Sequence, residues 1–314
     1  MLRKLALALS FATVVTAQQT APASDPPVEK TKKNIKVLTG LPTSQLIPVM
    51  AFMSNSLGVT CAHCHTDKWE SDEKQAKDVA RTMVLMQRDI NERHFGGELA
   101  VTCNSCHQGH LEPISIPSLD RAGWNQPPAP PKPDLSKMPA AAELVTKYVK
   151  AAGSEKPAAF DATATATRAN GRTEPTSGPV TFHVSAEGVK IDTDFSYPPD
   201  ANRGPNTAFL GPLRINEMYK GMQVTGTERV RGHDTYVVEA RATEGRAERL
   251  FFDKETGLLV RRYRETPTDY GVVPEAYDFE DYRDVAGMKI PYLITWSRAD
   301  YKVTHKLEKV APAM

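Results

Sequence analysis

All four cysteines of this 314-residue chain fall into two copies of one pattern, Cys61-Ala62-His63-Cys64-His65 and Cys103-Asn104-Ser105-Cys106-His107. Two thiols three residues apart, with a histidine directly after the second, have the C-x-x-C-H form of c-type haem attachment. The spacing has a chemical reason. The thiols reach the two vinyl groups along one edge of a porphyrin, and the adjoining imidazole swings under the ring to hold the iron from the proximal side. Two other uses of paired cysteines compete: an exchangeable disulfide and a zinc site. A redox disulfide has no need of the trailing histidine, which both copies carry. A zinc ribbon sets its cysteine pairs roughly 15–20 residues apart, a much shorter interval than the one from Cys64 to Cys103. The pattern predicts two covalently bound haem c groups, tethered through Cys61 and Cys64 and through Cys103 and Cys106, with His65 and His107 as iron ligands.

The elements that must position these residues also repeat. Leu46, Met50, Met53 and Leu57 are spaced four, three and four apart, which is one face of an α-helix. Thr43 or Ser44 can cap its start, Pro48 sits near its first turn, and Gly58 can end it. Val79, Met83, Met86 and Ile90 repeat the spacing on a second helix, opened by Ser71 and ended near Gly96-Gly97. Val59-Thr60-Cys61 answers Val101-Thr102-Cys103. The unit is a helix with Met-x-x-Met, a turn, and then Val-Thr-Cys-x-x-Cys-His, used twice. A thioether is a soft ligand that completes a six-coordinate iron and raises its potential. One methionine per helix is therefore expected on an iron and the other in packing, and spacing alone does not say which.

These residues give the stretch 34–112 a recognisable likeness. Asn34-Ile35-Lys36-Val37-Leu38, the helix from Leu46 to Leu57, Leu57-Gly58-Val59 before Cys61, and Val79-Ala80-Arg81 with Met83, Met86 and Ile90-Asn91 resemble the cytochrome c subunit of photosynthetic reaction centres. The resemblance implies that the first methionine of each helix, Met50 and Met83, ligates iron opposite His65 and His107, leaving Met53 and Met86 to packing. It also implies electron transfer with redox partner proteins, among them a membrane-bound electron-transfer complex. Full-length relatives of that kind carry four haems, whereas this chain has motifs for two. His94 lies where those relatives use a histidine for a further haem, but the local spacing differs and no further attachment motif exists. His63 and His110 are expected off the irons.

The rest of the chain divides by composition. Arg3 and Lys4, the apolar run from Leu5 to Val15 and the small residues of Val15-Thr16-Ala17 form an export-signal pattern over 1–17. That run is shorter than the roughly 20 residues a membrane-spanning helix needs. A loose leader is expected over 18–33, the two-haem region over 34–112, and a stiff extended linker over 113–139, where prolines crowd. Lys+Arg 39 against Asp+Glu 38 gives a net charge of +1, which argues against a nucleic-acid partner. The expected location is periplasmic or extracellular.

Residues 140–314 hold no cysteine. A short amphipathic helix over 140–152 is followed by strand patterns at 158–169, 179–184, 188–195, 222–230, 234–242, 246–253, 257–264, 276–284, 288–297 and 301–309, with a second helix expected over Leu213–Met222. Ala169-Asn170-Gly171, Arg231-Gly232-His233-Asp234 and Lys254-Glu255-Thr256-Gly257 suit tight hairpins. The fold class expected is multidomain: a small α-helical two-haem module, then an antiparallel sheet or open half-barrel with one or two helices. The latter loosely resembles periplasmic lipoprotein carriers, which implies room for a small apolar ligand. Asp278, Glu280, Asp281 and Asp284 among Arg261, Arg262, Arg264 and Arg283 are expected as cross-strand ion pairs on a solvated face. His183, His233 and His305 are expected at the surface. The function expected is electron carriage rather than enzymatic turnover, with a two-haem peroxidase and a lipid carrier with accessory haems as the other readings.

Overall fold

The structure is a computed structural model that describes residues 25–116, 133–153, 159–169, 174–185, 188–197, 214–243, 245, 247–298 and 301–313. The expected export signal over 1–17, most of the proline run and the Ala169-Asn170-Gly171 turn beyond its first residue lie outside the described residues. No described helix is long and apolar enough to cross a membrane.

A helical region comes first: α1 (Val28–Thr31), α2 (Leu46–Ser56), α3 (Gln75–Phe95) and α4 (Cys103–His107). Helix α3 begins at Gln75, not near Ser71; the Ser71 hydroxyl instead accepts the N–H of Glu73. Its end is as expected, with Gly96 in the left-handed conformation at φ 62° and its N–H bonded to Asn91 O. Residues 25–33 correct the expected loose leader. Val28 is fully buried, its N–H bonds to Leu41 O at 2.8 Å, and it packs in a small cluster with Leu38, Leu41, Val49 and Val84. An apolar side chain that finds a pocket orders the short polar stretch around it.

After α5 (Ala141–Ala151), ten strands form one antiparallel sheet: β1 (Phe160–Ala169), β2 (Thr176–Ser185), β3 (Gly188–Asp192), β4 (Tyr219–Val230), β5 (His233–Ala242), β6 (Ala247–Asp253), β7 (Leu259–Thr268), β8 (Gly271–Val285), β9 (Met288–Arg298) and β10 (Tyr301–Pro312). The order β3-β2-β1-β10-β9-β8-β7-β6-β5-β4 is an up-and-down meander joined to β1 by β10. Arg231-Gly232, at φ 50° and 90°, and Ala286-Gly287, at φ 51° and 84°, give the paired left-handed residues of tight hairpins whose twist matches the strands. Helix α5 covers the core face of the sheet through Leu144, Val145 and Tyr148, the last with its ring 5.5 Å from that of Phe252.

The expected helix over Leu213–Met222 is helical only at 214–218, after which Tyr219 opens β4. Long-range pairing overrides the local pattern: Tyr219 pairs with Ala242 across β5, and its hydroxyl donates to buried Glu248 at 2.7 Å. A second correction concerns the ion pairs. They are not a solvated ladder. Arg262 binds Glu248 with both side chains buried, and Arg264 Nε lies 2.5 Å from Glu275 on the same covered face. Arg261–Asp278 is partly covered, and Arg283–Asp281 is exposed.

His305 corrects a third expectation. It is buried, with Nε2 2.8 Å from the Tyr197 hydroxyl and Nδ1 without a hydrogen-bond partner among the described residues. Burial pushes its pKa down to about 4. The imidazole is neutral in the fold, while an unfolded chain takes up the proton near 6.5. Stability is therefore complete above pH 6.5 and declines as the pH falls from there toward 4. His305→Phe is expected to flatten this part of the thermal midpoint against pH; an unchanged slope would refute the assignment. His183 and His233 are half-exposed as expected, each beside a carboxylate (Asp161 and Asp192 for the first, Asp253 for the second).

Candidate functional site

Helix α2 runs out at Leu57, and Gly58 then turns the chain in the left-handed region at φ 65°. A short 3-10 turn over Cys61–His63 follows, and His65 N–H closes onto Cys61 O at 3.0 Å. The second copy is a true helical turn, α4, opened by a reciprocal cap between Thr102 and Ser105. In either turn the residues at i, i+3 and i+4 share a face, so each pair of thiols and its histidine are gathered locally by chain winding alone.

The histidines are held alike. His65 Nδ1 lies 3.0 Å from Trp69 O, and His107 Nδ1 lies 3.1 Å from His110 O. With a carbonyl as partner, Nδ1–H must be the donor, which leaves the Nε2 lone pair free for a metal. Burial lowers the proton affinity of His65, favouring the neutral ring that ligation requires. Cys61 and Cys106 are exposed, and Cys64 and Cys103 are partly covered, their thiol pKa values raised by burial. The four thiols are free, and no group of three or more His, Cys, Asp or Glu side chains among the described residues gathers to hold an ion.

The two methionine helices differ. On α2, Met50 and Met53 are partly buried against the cluster of Val28, Leu38, Leu41, Val49 and Val84. On α3 the buried face is Val84, Gln87 and Asn91, while Val79, Met83 and Met86 are 53%, 36% and 47% exposed. The apolar stripe of α3 is thus only partly covered by the described residues. Among the described residues, every exposed large hydrophobic side chain except Leu135 and Val272 lies between Ile47 and Ile116. A partly exposed apolar face marks a binding surface, and a flat apolar macrocycle tethered at the thiols of this region is the kind of group that suits it. The residues present therefore fit haem c.

Two side chains not assigned a role from sequence hold the second attachment turn. Gln87 Nε2 and Asn91 Nδ2 both donate to Val101 O, at 2.8 and 2.7 Å, and Asn91 Oδ1 accepts the N–H of Val101 at 2.8 Å. Two amides four residues apart, on one face of α3, were the available signal. The two attachment segments also meet. Gly109 N–H donates to Ser56 O at 2.8 Å, and a Cβ at Gly58 would lie 2.0 Å from Gly109 O. His63 is half-buried within the first turn, and His94 and His110 are exposed.

Residues 3–152 match the family described as the photosynthetic reaction centre cytochrome C subunit. The chain is 31% identical over 104 residues to a photosynthetic reaction center cytochrome c subunit of Rubrivivax gelatinosus, covering 32% of this chain and 28% of that protein. It is 34% identical over 82 residues to cytochrome c-554 of Chloroflexus aurantiacus, covering 24% of this chain and 20% of that protein. The matched part thus spans about a quarter of the length of these relatives. In fold, the chain is similar to a LolA superfamily protein of Nitrosomonas europaea, with a TM-score of 0.41 at 10% identity over 56% of this chain and 95% of that one. A DUF1329 family protein of Desulfovibrio piger gives a TM-score of 0.40 at 10% identity over 55% and 93%.

Proposed function

We propose that this protein is an exported carrier of electrons with two haem c groups, tethered at Cys61 and Cys64 and at Cys103 and Cys106. The observation that supports it most is the duplicated histidine arrangement, in which each imidazole beside a thiol pair has Nδ1 committed to a backbone carbonyl. Haem c bound at these positions supplies one reversible electron per iron. The chain does the rest. His65 and His107 would present Nε2 to the irons, and the carbonyls of Trp69 and His110 fix the ring orientation and tautomer. Met50 and Met83 would supply thioethers to the irons, a soft ligand that favours the reduced state. With a histidine and a methionine committed to each haem, the bound groups would supply electron transfer rather than a place for peroxide to react.

The sequence relatives support the same reading at the level of a cytochrome electron carrier. We place the protein outside the cytoplasm, on the strength of residues 1–17, where cytochrome c maturation takes place and a membrane-bound redox complex is the natural partner. The expected division into a two-haem region over 34–112, a linker over 113–139 and a sheet over 140–314 is part of this proposal.

Met50→Ala and Met83→Ala are each expected to abolish the Met–iron charge-transfer absorption of one ferric haem and leave the other intact. Loss of a band in Met53→Ala or Met86→Ala instead would reassign the ligands. Rapid peroxide turnover with a high-spin ferric spectrum in the wild type would overturn the carrier reading.

A further inference from the structure

The sheet reaches into the helical region at the turn between β7 and β8. Thr268 Oγ1 donates to Gly271 O at 2.7 Å and accepts the N–H groups of Tyr270 and Gly271 at 3.2 Å, so the turn is tied to itself. It drives Tyr270, fully buried, into the cluster of Val28, Leu38, Leu41, Val49 and Val84. The Tyr270 hydroxyl donates to Val37 O at 3.3 Å, and Arg88 of α3 lies 5.3 Å from the centre of its ring. Gly271 presses on α2: a Cβ there would come within 2.2 Å of Phe52 Cζ.

Two members of this cluster are chain neighbours of the methionines assigned above. Val49 precedes Met50, and Val84 follows Met83. A buried side chain fixes the rotation of its helix, and hence where the next residue points. The cluster is small for a region that must hold two ligand-bearing helices, and a core this size is marginal without an added group. We infer that the β7–β8 turn, through Tyr270 and Gly271, is a positioning element for both methionine helices and holds Met50 and Met83 at the irons. A thioether is a weak iron ligand, and its occupancy follows its effective concentration at the metal. Loosening the wedge lowers that concentration without touching a ligand. This inference rests on the His/Met reading of the preceding section.

The test uses the full-length, haem-loaded protein. The wild type comes first: absence of any Met–iron absorption would end the ligand reading itself. With that band present, Tyr270→Ala is expected to cut it to half or less and to raise the fraction of ferrous haem that binds carbon monoxide about tenfold. Tyr270→Phe, which keeps the ring, restores wild-type values. Gly271→Ala removes no buried side chain and shifts both readouts in the same direction, so it decides the matter should Tyr270→Ala not accumulate folded. Gly232→Ala strains the β4–β5 turn, which in this meander lies at the opposite end of the sheet, and leaves the band unchanged. Wild-type absorption and carbon monoxide binding in the Ala variants, or an equal loss in Gly232→Ala, would overturn the inference.

Discussion

Expressed with cytochrome c maturation machinery, the full chain is expected to carry two haems by pyridine haemochrome assay, with a matching mass gain on the intact polypeptide. The double variant Cys61→Ala/Cys64→Ala is expected to carry one, and so is Cys103→Ala/Cys106→Ala. The expectation follows from what each turn does locally. A thiol pair and an imidazole sit on one face of a single helical turn, with Nδ1 of the imidazole already bonded to a carbonyl. It also follows from what the protein leaves partly exposed, the Val79, Met83 and Met86 stripe of α3. The haem-free chain would expose this stripe to water, so the variant lacking the second thiol pair should lose protease resistance in α3 as well as one haem. A colourless wild type, or one in which zinc or disulfides account for the thiols, would refute the assignment outright.

Arg262→Ala is expected to destabilise the sheet by about 3–5 kcal/mol, the usual consequence of leaving one charge of a buried pair behind. Glu248 is 0% exposed in its side chain and Arg262 is 7% exposed, so water cannot take the place of either partner. Arg262 meets the carboxylate in a two-pronged contact, with Nη2 2.6 Å from Oε1 and Nε on Oε2, and the Tyr219 hydroxyl adds a third donor. Burial works to raise the Glu248 pKa, but the Arg262 guanidinium outweighs it and the net shift is downward. A carboxylate held below its ordinary value of 4.5 contributes stability at neutral pH. That contribution is lost as the pH falls from the ordinary value through the depressed one. Glu248→Leu combined with Arg262→Met should lie much closer to wild type than either single change, because no charge is then stranded. Chemical denaturation at pH 7 measures each variant. An Arg262→Ala loss under about 1 kcal/mol, the range of an exposed pair, would show that the pair is solvated after all.

The buried pair also shows where reading by pattern stops. Arg262 and Arg264 alternate along β7 with Arg261 and Tyr263, and nothing in the alternation distinguishes a covered charge from an exposed one. Which face is covered depends on α5 and on Tyr219, distant in sequence. His305 escapes the pattern for the same reason, since the covering Tyr197 is 108 residues away in sequence.

Short-range chemistry is legible in the residues alone. Thiol and imidazole spacing within one helical turn, the body of the two methionine helices, the glycine that stops α3 and the left-handed hairpin turns are set by neighbours a few residues apart. Distant contacts decide that α3 turns Val84, Gln87 and Asn91 inward and leaves Met83 and Met86 partly exposed, and that Val28 brings residues 25–33 against α2 and α3. They also decide that a tyrosine from a strand turn completes the core of the helical region. Each of these depends on a contact between segments far apart in the chain. Periodicity reports that a helix has an apolar face, but which surface covers that face is settled only when the distant segments meet.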